Sequence, residues 1–259
     1  MVKPISLIVT LVLLVKNMND ITKPQGFSLN TIGIIESPYK EKFAIPRQAN
    51  LVTAAKGRVL LTGQQNNLDI IRDIEQFSHL WLLFIFHGTQ AQGWKPLVRP
   101  PRLGGNKKTG VLATRSPFRP NPVGMSVVKL DKVSTNKQQI ILYISGLDLL
   151  DGTPIFDIKP YIPYSDAITT AQSGYAQKPM NTLSITFSQK AKEALVIYER
   201  QYSELASFIE QVLAQDPRPA YKSHQCDNRE YGMRLYDLNI RWQLISVTSV
   251  IVLSISAID

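Results

Sequence analysis

The sequence predicts a mainly β N-terminal domain of about 140 residues, followed by a smaller α+β domain that combines helices with strands. Apolar runs of strand length recur between residues 28 and 159. Six prolines lie within residues 94–124, and regular helix is excluded there because proline removes a backbone donor and clashes with the preceding turn. Beyond residue 188 the pattern changes and predicts two helices beside further strands.

The N-terminal domain contains one predicted helix among its strands. Leu68, Ile71, Ile74 and Phe77 repeat at helical spacing and predict a helix over residues 68–77. Residues 80–86 form a continuous apolar run, which is typical of a buried central strand. The other predicted strands cover residues 28–35, 57–62, 109–114, 123–130, 138–145 and 153–159.

The C-terminal domain follows a polar stretch at residues 166–177 that reads as a linker. Ser188 can cap a helix of about a dozen residues. A second helix over residues 203–214 carries an apolar stripe and ends before Asp216 and Pro217. The remaining predicted strands are residues 181–187, 240–247 and 248–255. We therefore divide the chain into four parts. Residues 1–26 are an N-terminal extension outside the fold, residues 27–166 the β domain, residues 167–180 a linker and residues 181–259 the α+β domain.

The extension contains an uncharged stretch of eleven residues, 5–15. It is too short to cross a bilayer as a helix, which needs roughly 20 residues. Met18 is a candidate start, so we expect residues 1–17 to be dispensable, with an export signal or a packed segment as the alternatives. We expect a cytoplasmic protein that does not bind membranes.

Residue counts exclude several classes of site. One cysteine, Cys226, excludes an intramolecular disulfide and a multi-cysteine zinc site. Three histidines make a His-rich metal site improbable, and we expect no metal. The chain also lacks the Walker phosphate loop, the glycine-rich dinucleotide motif, the nucleophile elbow and the zinc-protease helix motif.

The formal net charge of +9 is concentrated in one block of the chain. Residues 76–130 contain no Asp or Glu but eight Lys and Arg residues, so this block accounts for all but one unit of the net charge. A local positive field of this kind attracts phosphates or nucleic acid. The alternative is a basic surface that serves only solubility.

Three loops combine arginine with proline: residues 38–48, 99–106 and 114–125. Proline fixes φ and glycine allows close approach of the backbone, so arginines on such loops are pre-ordered partners for carboxylate or phosphate. These features favour a ligand or nucleic-acid site over a rigid surface connection.

These same loops carry a family resemblance. The strings SPYKEKFAIPRQ, FSHLW, RPPRLGGN, ATRSPFRPNPVGMS, LDLLDGTPIFDIKPY and AQDPRPAY resemble the TrmO proteins, which contain a TsaA-like domain, over about residues 29–245. The resemblance implies a compact β-barrel and a homodimer. It also implies an S-adenosylmethionine-dependent methyltransferase that converts N6-threonylcarbamoyladenosine at position 37 of tRNA, beside the anticodon, into its N6-methyl form, and we expect tRNA-Thr as the substrate. The small C-terminal domain would help to bind tRNA.

The resemblance also implies which residues bind S-adenosylmethionine. They are Arg47, Gln48, Ala49, His87, Gly88, Arg115, Met125, Ser145, Gly146, Leu147 and Asp148. An arginine can hold the carboxylate of the cofactor, and Asp148 can accept hydrogen bonds from its ribose or amine. Relatives usually carry proline at position 49 and a polar residue at position 88, so a contact at Gly88 must come from its backbone. His87 could alternatively be only a structural histidine at the end of a strand.

The catalytic proton acceptor stays open at this stage. Methyl transfer to N6 needs proximity and a group that takes the N6 proton. The candidates are His87, Asp148, Asp151 and Tyr161. Arg99, Arg102 and Arg119 are expected to hold phosphates or the threonyl carboxylate of the substrate. Asp216, Arg218 and Tyr221 either stop the preceding helix or contact tRNA, through Arg218 on phosphate and Tyr221 on a base.

Two other functions compete with the enzyme. One is a non-catalytic RNA-binding module, and the other is a regulator that senses the cofactor through protein contacts. A converging set of Arg47, Gln48, Arg115 and Asp148 favours the enzyme, because plain RNA binding requires no such pocket.

Overall fold

The chain folds into a β-barrel joined to a smaller sheet-and-helix domain, which confirms the predicted fold class. The computed structural model describes residues 9–13, 25–136, 139–180, 182–219, 222, 225–227 and 229–258. Residues 1–8 and 14–24 of the predicted extension therefore lie outside the described residues. Strands β1 (Val9–Leu13) and β2 (Gln25–Leu29) pair antiparallel in a two-stranded sheet that is separate from the barrel.

Six antiparallel strands form the closed barrel, in the order β10-β3-β4-β9-β8-β5. In chain order the strands of this domain are β3 (Gly33–Glu36), β4 (Lys56–Leu61), β5 (His79–Ile85), β6 (Leu97–Val98), β7 (Thr109–Gly110), β8 (Val123–Asn136), β9 (Gln139–Ser145) and β10 (Pro154–Pro160). The barrel closes where β10 pairs with β5. Closure leaves no unpaired strand edge in the ring.

The barrel interior is filled by alternate residues of each strand. On β5, Leu80, Leu82 and Phe84 are buried, while Trp81 and Leu83 are partly exposed. The strand was therefore predicted correctly, but its apolar run is buried mainly on one face, as the side-chain alternation of a strand requires. Val59, Leu142 and Ile155 complete the same core from neighbouring strands.

The predicted helix over residues 68–77 is wrong. Two short 3₁₀ turns replace it, Leu68–Ile71 and Ile74–Gln76. Asp73 lies between them with φ +66°, a left-handed conformation that interrupts a right-handed helix. Ile71 and Ile74 pack against the core, whereas Leu68 is exposed, so the helical spacing does not build one buried face.

Two predicted strands also differ from the structure. The segment at residues 28–35 is divided between β2, which ends at Leu29, and β3, which begins at Gly33. Between them, the Ile32 N–H donates to the Ile155 carbonyl and the Ile32 carbonyl accepts from the Thr62 N–H. The segment at residues 109–114 is a strand only at β7 and then turns as a 3₁₀ helix, Val111–Ala113.

The proline-rich block forms a long excursion between β5 and β8. It contains the 3₁₀ turns His87–Gln92, Pro101–Leu103 and Val111–Ala113, and the small β6–β7 ribbon. The predicted linker follows helix α1 (Pro163–Asp166) and contains the 3₁₀ turn Gly174–Ala176. Tyr175 Oη donates to the Ala113 carbonyl at 3.1 Å, which holds this linker against the excursion.

The C-terminal domain is a four-stranded sheet packed against two helices. Its elements are β11 (Ser184–Phe187), α2 (Gln189–Tyr198), α3 (Leu205–Ala214), β12 (Glu230–Leu235), β13 (Leu238–Ser246) and β14 (Ser249–Ala257), with sheet order β11-β14-β13-β12. Ser188 caps α2 as predicted, since its Oγ accepts from the Ala191 N–H at 3.1 Å. Strand β12 was not predicted. In the described part of the chain, no helix is long and apolar enough to cross a membrane.

Tyr39 joins the two domains through one continuous core. Its fully buried ring lies 5.7 Å from that of Phe208 on α3, and Phe208 contacts Tyr236 edge to face. The Tyr236 N–H donates to the Pro38 carbonyl at 2.8 Å. Within the described residues, the Tyr39 hydroxyl is buried without a hydrogen-bond partner. Burial raises the pKa of this phenol, and the negative charge of Asp148 raises it further.

Candidate functional site

The turn that follows β9 supports the site. The Gly146 N–H donates to the Ala55 carbonyl at 2.9 Å, and the Gly146 carbonyl accepts from the Asn50 N–H at 2.8 Å. Gly146 has φ +74°, and a Cβ there would lie 2.5 Å from Asn50 Oδ1. Glycine is therefore required at this position, because it alone fits both the backbone conformation and the space beside Asn50.

Asp148 lies at the end of this turn and is the acidic group of the site. Its carboxylate accepts from Ser126 Oγ at 2.5 Å and from the backbone N–H of Ala49. Burial raises the pKa of Asp148 to about 6, while the bonds from Ser126 and Ala49 and the charge of Arg115 act in the opposite direction. The carboxyl group is thus mostly ionised at neutral pH and sensitive to small changes in its surroundings.

Arg115 supplies the positive charge beside Asp148. Its side chain is exposed, and its Nη1 donates to Gln48 Oε1. The structure therefore brings Gln48, Ala49, Arg115 and Asp148 into one region, and their contact with a cofactor stays a prediction. The arrangement can pair with a zwitterion, because it offers an exposed guanidinium and a carboxylate on which the charge of that guanidinium acts.

The loop that carries Arg115 is fixed from within. Arg119 Nη1 donates to the carbonyls of Thr114 at 2.6 Å and Val111 at 3.2 Å, and Ser116 N donates to Thr114 Oγ1. Arg119 was predicted to hold phosphate or the substrate carboxylate. The structure instead gives it a positioning role, because its guanidinium closes the loop that presents Arg115.

His87 and Gly88 follow β5 and adjoin the site through other residues. The Gly88 carbonyl accepts from Lys42 Nζ at 2.5 Å, and a Cβ on Gly88 would lie 3.4 Å from Leu150. The pKa of the half-buried His87 imidazole is lowered, first by burial and also by the charge of Lys42, with Asp151 acting in the opposite direction. His87 is therefore neutral at neutral pH and able to accept a proton.

Asp151 and Tyr161 are poorly placed as proton acceptors. Asp151 Oδ1 accepts from the Ser37 N–H at 2.8 Å and Oδ2 from Lys40 Nζ at 2.6 Å, so both oxygens are used to hold the loop before Tyr39. Tyr161 packs against Trp81 and His79. His79 begins β5 and His87 follows its end, which places Tyr161 ~20 Å from His87 along the strand. The candidates that remain at the site are His87 and Asp148.

Three further predicted cofactor contacts differ in their exposure. Met125 on β8 is 56% exposed and available to a ligand. Ser145 is buried and donates to Asp131 Oδ1 at 3.1 Å, and Leu147 is fully buried in the core. Only the backbone of Ser145 and Leu147 is left for a ligand, because their side chains serve the interior.

Arg47 faces away from its neighbour Gln48 and does not join the Asp148 site. Its Nη1 contacts Met180 Sδ at 3.3 Å, and its guanidinium lies near Asp216 and Arg102. It lines a separate cleft between the barrel and the C-terminal domain. The structure therefore places the Arg47 side chain in this cleft rather than beside Asp148, and its contact with a cofactor stays a prediction.

Some of the predicted tRNA-contacting residues have exposed side chains, and others have side chains that are bonded within the protein. Arg99 is exposed, and Arg102 Nη1 donates to the Lys178 carbonyl at 2.5 Å. The Arg218 side chain is 0% exposed and bonds both carboxylate oxygens of Asp216, each at 2.8 Å, as well as the Gln225 carbonyl. This burial contradicts the predicted phosphate contact of Arg218. Tyr221 lies outside the described residues.

Ser126, Asn50 and Lys42 contribute to the site although the sequence did not single them out. Ser126 bonds Asp148, Asn50 bonds Gly146 and the Val127 carbonyl, and Lys42 bonds Gly88. Each lies one to five residues from a predicted site residue. Closeness to those residues was therefore the signal that could have found them.

Comparisons with protein families match nearly the whole barrel and the whole C-terminal domain. Residues 34–167 match the tRNA-methyltransferase O N-terminal domain, and residues 180–258 match the TrmO C-terminal domain.

Comparisons with individual proteins agree with this match. The chain is 49% identical over 220 residues to a protein of Escherichia coli K12 named tRNA (adenine(37)-N6)-methyltransferase, covering 85% of this chain and 94% of that protein. It is 45% identical over 216 residues to a Pseudomonas aeruginosa protein named putative S-adenosylmethionine-dependent methyltransferase RcsF, covering 83% and 91%. A crystal structure of TrmO from P. aeruginosa superimposes with a TM-score of 0.75 and 38% identity, covering 90% of this chain and 99% of that one.

Proposed function

Because this chain belongs to the TrmO family, we propose that it methylates N6 of threonylcarbamoyladenosine at position 37 of tRNA, with tRNA-Thr as the substrate and S-adenosylmethionine as the methyl donor. Family membership makes the chain a tRNA (adenine-37-N6) methyltransferase. The threonylcarbamoyl group and the tRNA species are the finer parts of the proposal.

One observation supports this function above the others: the exposed Arg115 guanidinium acts by its charge on the largely buried Asp148 carboxylate, with Gln48 bonded to Arg115 and with Ala49 and Ser126 bonded to Asp148. The donor set fits the chemistry of S-adenosylmethionine. Arg115 would hold its carboxylate, and Asp148 its ammonium group or ribose hydroxyls. The backbone of Gly88 and Met125 would contact the adenine. A module that only bound RNA would need cations but no adjoining carboxylate.

The reaction forms a bond between N6 and the methyl carbon while the bond from that carbon to sulfur breaks. The bound cofactor supplies the electrophilic methyl group. The N6 proton must leave, and His87 is the group we propose to accept it, because burial and Lys42 keep its imidazole neutral. The threonylcarbamoyl group makes that proton more acidic and so lowers the demand on the base. Asp148 would keep its hydrogen bond from Ser126 and hold the cofactor.

We also propose that the protein works as a homodimer in the cytoplasm. Three large apolar side chains of the excursion are strongly exposed: Trp94, Leu97 and Leu112 are 57%, 53% and 76% exposed. A second copy that covered them would remove this apolar surface from water. Light scattering of the wild type and of Leu112→Asp tests this, since the substitution should yield a monomer.

Nucleoside mass spectrometry tests the enzyme function. tRNA from cells that lack the gene should lose the methylated form of threonylcarbamoyladenosine. The wild-type gene should restore it, and Arg115→Ala should not. Arg72→Ala is the matched control, because Arg72 pairs with Asp69 on the exposed 3₁₀ turn away from the site. An unchanged nucleoside profile on deletion would instead favour the RNA-binding or cofactor-sensing alternative.

A further inference from the structure

A second cleft lies between the barrel and the C-terminal domain. It has a volume of about 250 Å³ and is lined by residues 42–47 on one side and residues 215–219 on the other, with Pro101 closing one wall. Residues 178–180 of the linker lie beside it, because Lys178 bonds Arg102 and Met180 contacts Arg47. The cleft is thus built from three separate segments of the chain.

The charge of this cleft is positive and only partly compensated. Its lining contains Lys42, Arg47 and Arg218 but one carboxylate, Asp216. Both oxygens of Asp216 are already bonded by Arg218. Burial lowers the pKa of the Arg47 guanidinium, the charge of Asp216 raises it, and the charge of Arg102 lowers it. Its bonded partner in the described residues is the Met180 sulfur, a weak acceptor.

An aromatic ring stands at the entrance of the cleft. Phe43 belongs to the 3₁₀ turn Lys42–Ala44 and is 70% exposed, while its neighbour Ala44 is buried and anchors the turn. Prolines 46, 101, 217 and 219 stiffen the walls. An exposed aromatic ring beside half-buried arginine is the combination that binds unstacked bases of single-stranded RNA.

We propose that this cleft binds one unstacked nucleotide of the anticodon loop, next to the target adenosine, with its base on Phe43 and its phosphate on Arg47. The inference rests on the proposed function and adds a separate substrate subsite to it. The loop connects this subsite with the methyl-transfer site, because Arg47 faces the cleft while Gln48 bonds Arg115. Lys42 lines the cleft and bonds Gly88 beside His87.

The test compares two cleft variants with two matched surface variants. Phe43→Leu and Arg47→Gln remove the stacking ring and the charge. Phe77→Leu and Arg72→Gln change an exposed phenylalanine and an exposed arginine elsewhere on the barrel. Steady-state kinetics with an anticodon stem-loop containing threonylcarbamoyladenosine give KM and kcat. Titration calorimetry gives the Kd of S-adenosylmethionine, and urea denaturation gives stability.

We expect each cleft variant to raise KM for the stem-loop about tenfold, as the loss of one base stack or phosphate contact does. In both cleft variants the Kd of S-adenosylmethionine and the urea midpoint should stay at wild-type values. Phe43→Trp, which keeps an aromatic ring, should have the wild-type KM for the stem-loop. Both surface controls should match the wild type.

Two results would overturn the inference while leaving the enzyme function intact. One is an unchanged KM in Phe43→Leu and Arg47→Gln. The other is a raised Kd for S-adenosylmethionine in Arg47→Gln, which would return Arg47 to the cofactor site. Absence of methylation by the wild type would instead contradict the proposed function, and fluorescence anisotropy of the labelled stem-loop would then compare the same four variants. Equal affinity in all four would exclude the cleft as an RNA site.

Discussion

Two arginine–aspartate pairs on motif-rich loops have opposite characters in this protein. Arg218 and Asp216 form a closed pair, with the arginine side chain 0% exposed and both carboxylate oxygens bonded. Arg115 and Asp148 form what we call the open pair, coupled by charge but not joined by an ion pair: the exposed guanidinium bonds Gln48, and the carboxylate, whose pKa burial raises, bonds Ser126.

The difference separates a structural arginine from a ligand-binding one. In the closed pair each charge is satisfied by the protein, so a ligand could gain nothing without breaking the pair. In the open pair the exposed guanidinium retains unused donors, and the largely buried carboxylate accepts bonds from Ser126 and Ala49 rather than from the arginine. The two loops look alike as sequence, and burial is what distinguishes them.

The largest expected effect comes from breaking the closed pair. Arg218→Ala should lower the free energy of unfolding by about 3–5 kcal/mol, because it leaves Asp216 without its partner in a partly buried site. Arg58→Ala is the control, since Arg58 pairs with Glu36 at the surface and should cost less than about 1 kcal/mol. Urea denaturation measures both. Equal losses in the two variants would mean that the closed pair has no special structural role.

Removing the arginine of the open pair should weaken cofactor binding and leave the stability of the protein almost unchanged. Arg115→Ala should weaken S-adenosylmethionine binding by about 10- to 150-fold, the value of one charged hydrogen bond, while stability changes by less than about 0.5 kcal/mol. Titration calorimetry and urea denaturation give the two numbers. Arg115→Lys should be intermediate, because lysine keeps the charge but loses the planar fork. Unchanged affinity in Arg115→Ala contradicts the site assignment.

The acidic partner should make cofactor binding depend on pH. Asp148 titrates at about 6, so lowering the pH through 6 should weaken the affinity of S-adenosylmethionine as the carboxylate becomes neutral. Asp148→Asn should bind weakly at all pH values and lose this dependence. Because the native pKa is raised, the wild type also loses stability as pH rises from about 4 to 6, and the variant should not. A pH-dependent affinity that survives in Asp148→Asn would assign the titration to another group.

The smallest expected effect concerns the Tyr39 hydroxyl, which belongs to neither arginine–aspartate pair. Tyr39→Phe should raise the free energy of unfolding by about 1 kcal/mol, because the Tyr39 hydroxyl is buried without a partner among the described residues. Tyr202→Phe is the contrast, since Tyr202 donates to Asp237 at 2.6 Å and should lose stability. Thermal unfolding of both variants decides the sign, and a destabilised Tyr39→Phe would show that the hydroxyl has a partner in solution.

The strands were largely predictable because apolar runs mark the barrel wall directly. The helix over residues 68–77 was not, because its periodic residues are divided by a left-handed Asp73 that no spacing pattern reveals. Strand β12 alternates between exposed and buried residues, and it was missed because Gly232 at its centre weakens the strand signal. A single sequence shows residue spacing but not the side of a loop that each residue faces. For this reason we predicted from the sequence that Arg47 and Gln48 share one site, and that Arg218 and Arg119 can bind a ligand.

The aromatic contact between Tyr39 and Phe208 has a consequence for how the chain unfolds. The buried residues of the barrel and of α3 belong to one hydrophobic cluster, so neither domain can open without exposing the apolar face of the other. Heating should therefore melt both in a single cooperative transition. An isolated barrel would present Tyr39 and its surroundings to water as an aggregation-prone patch.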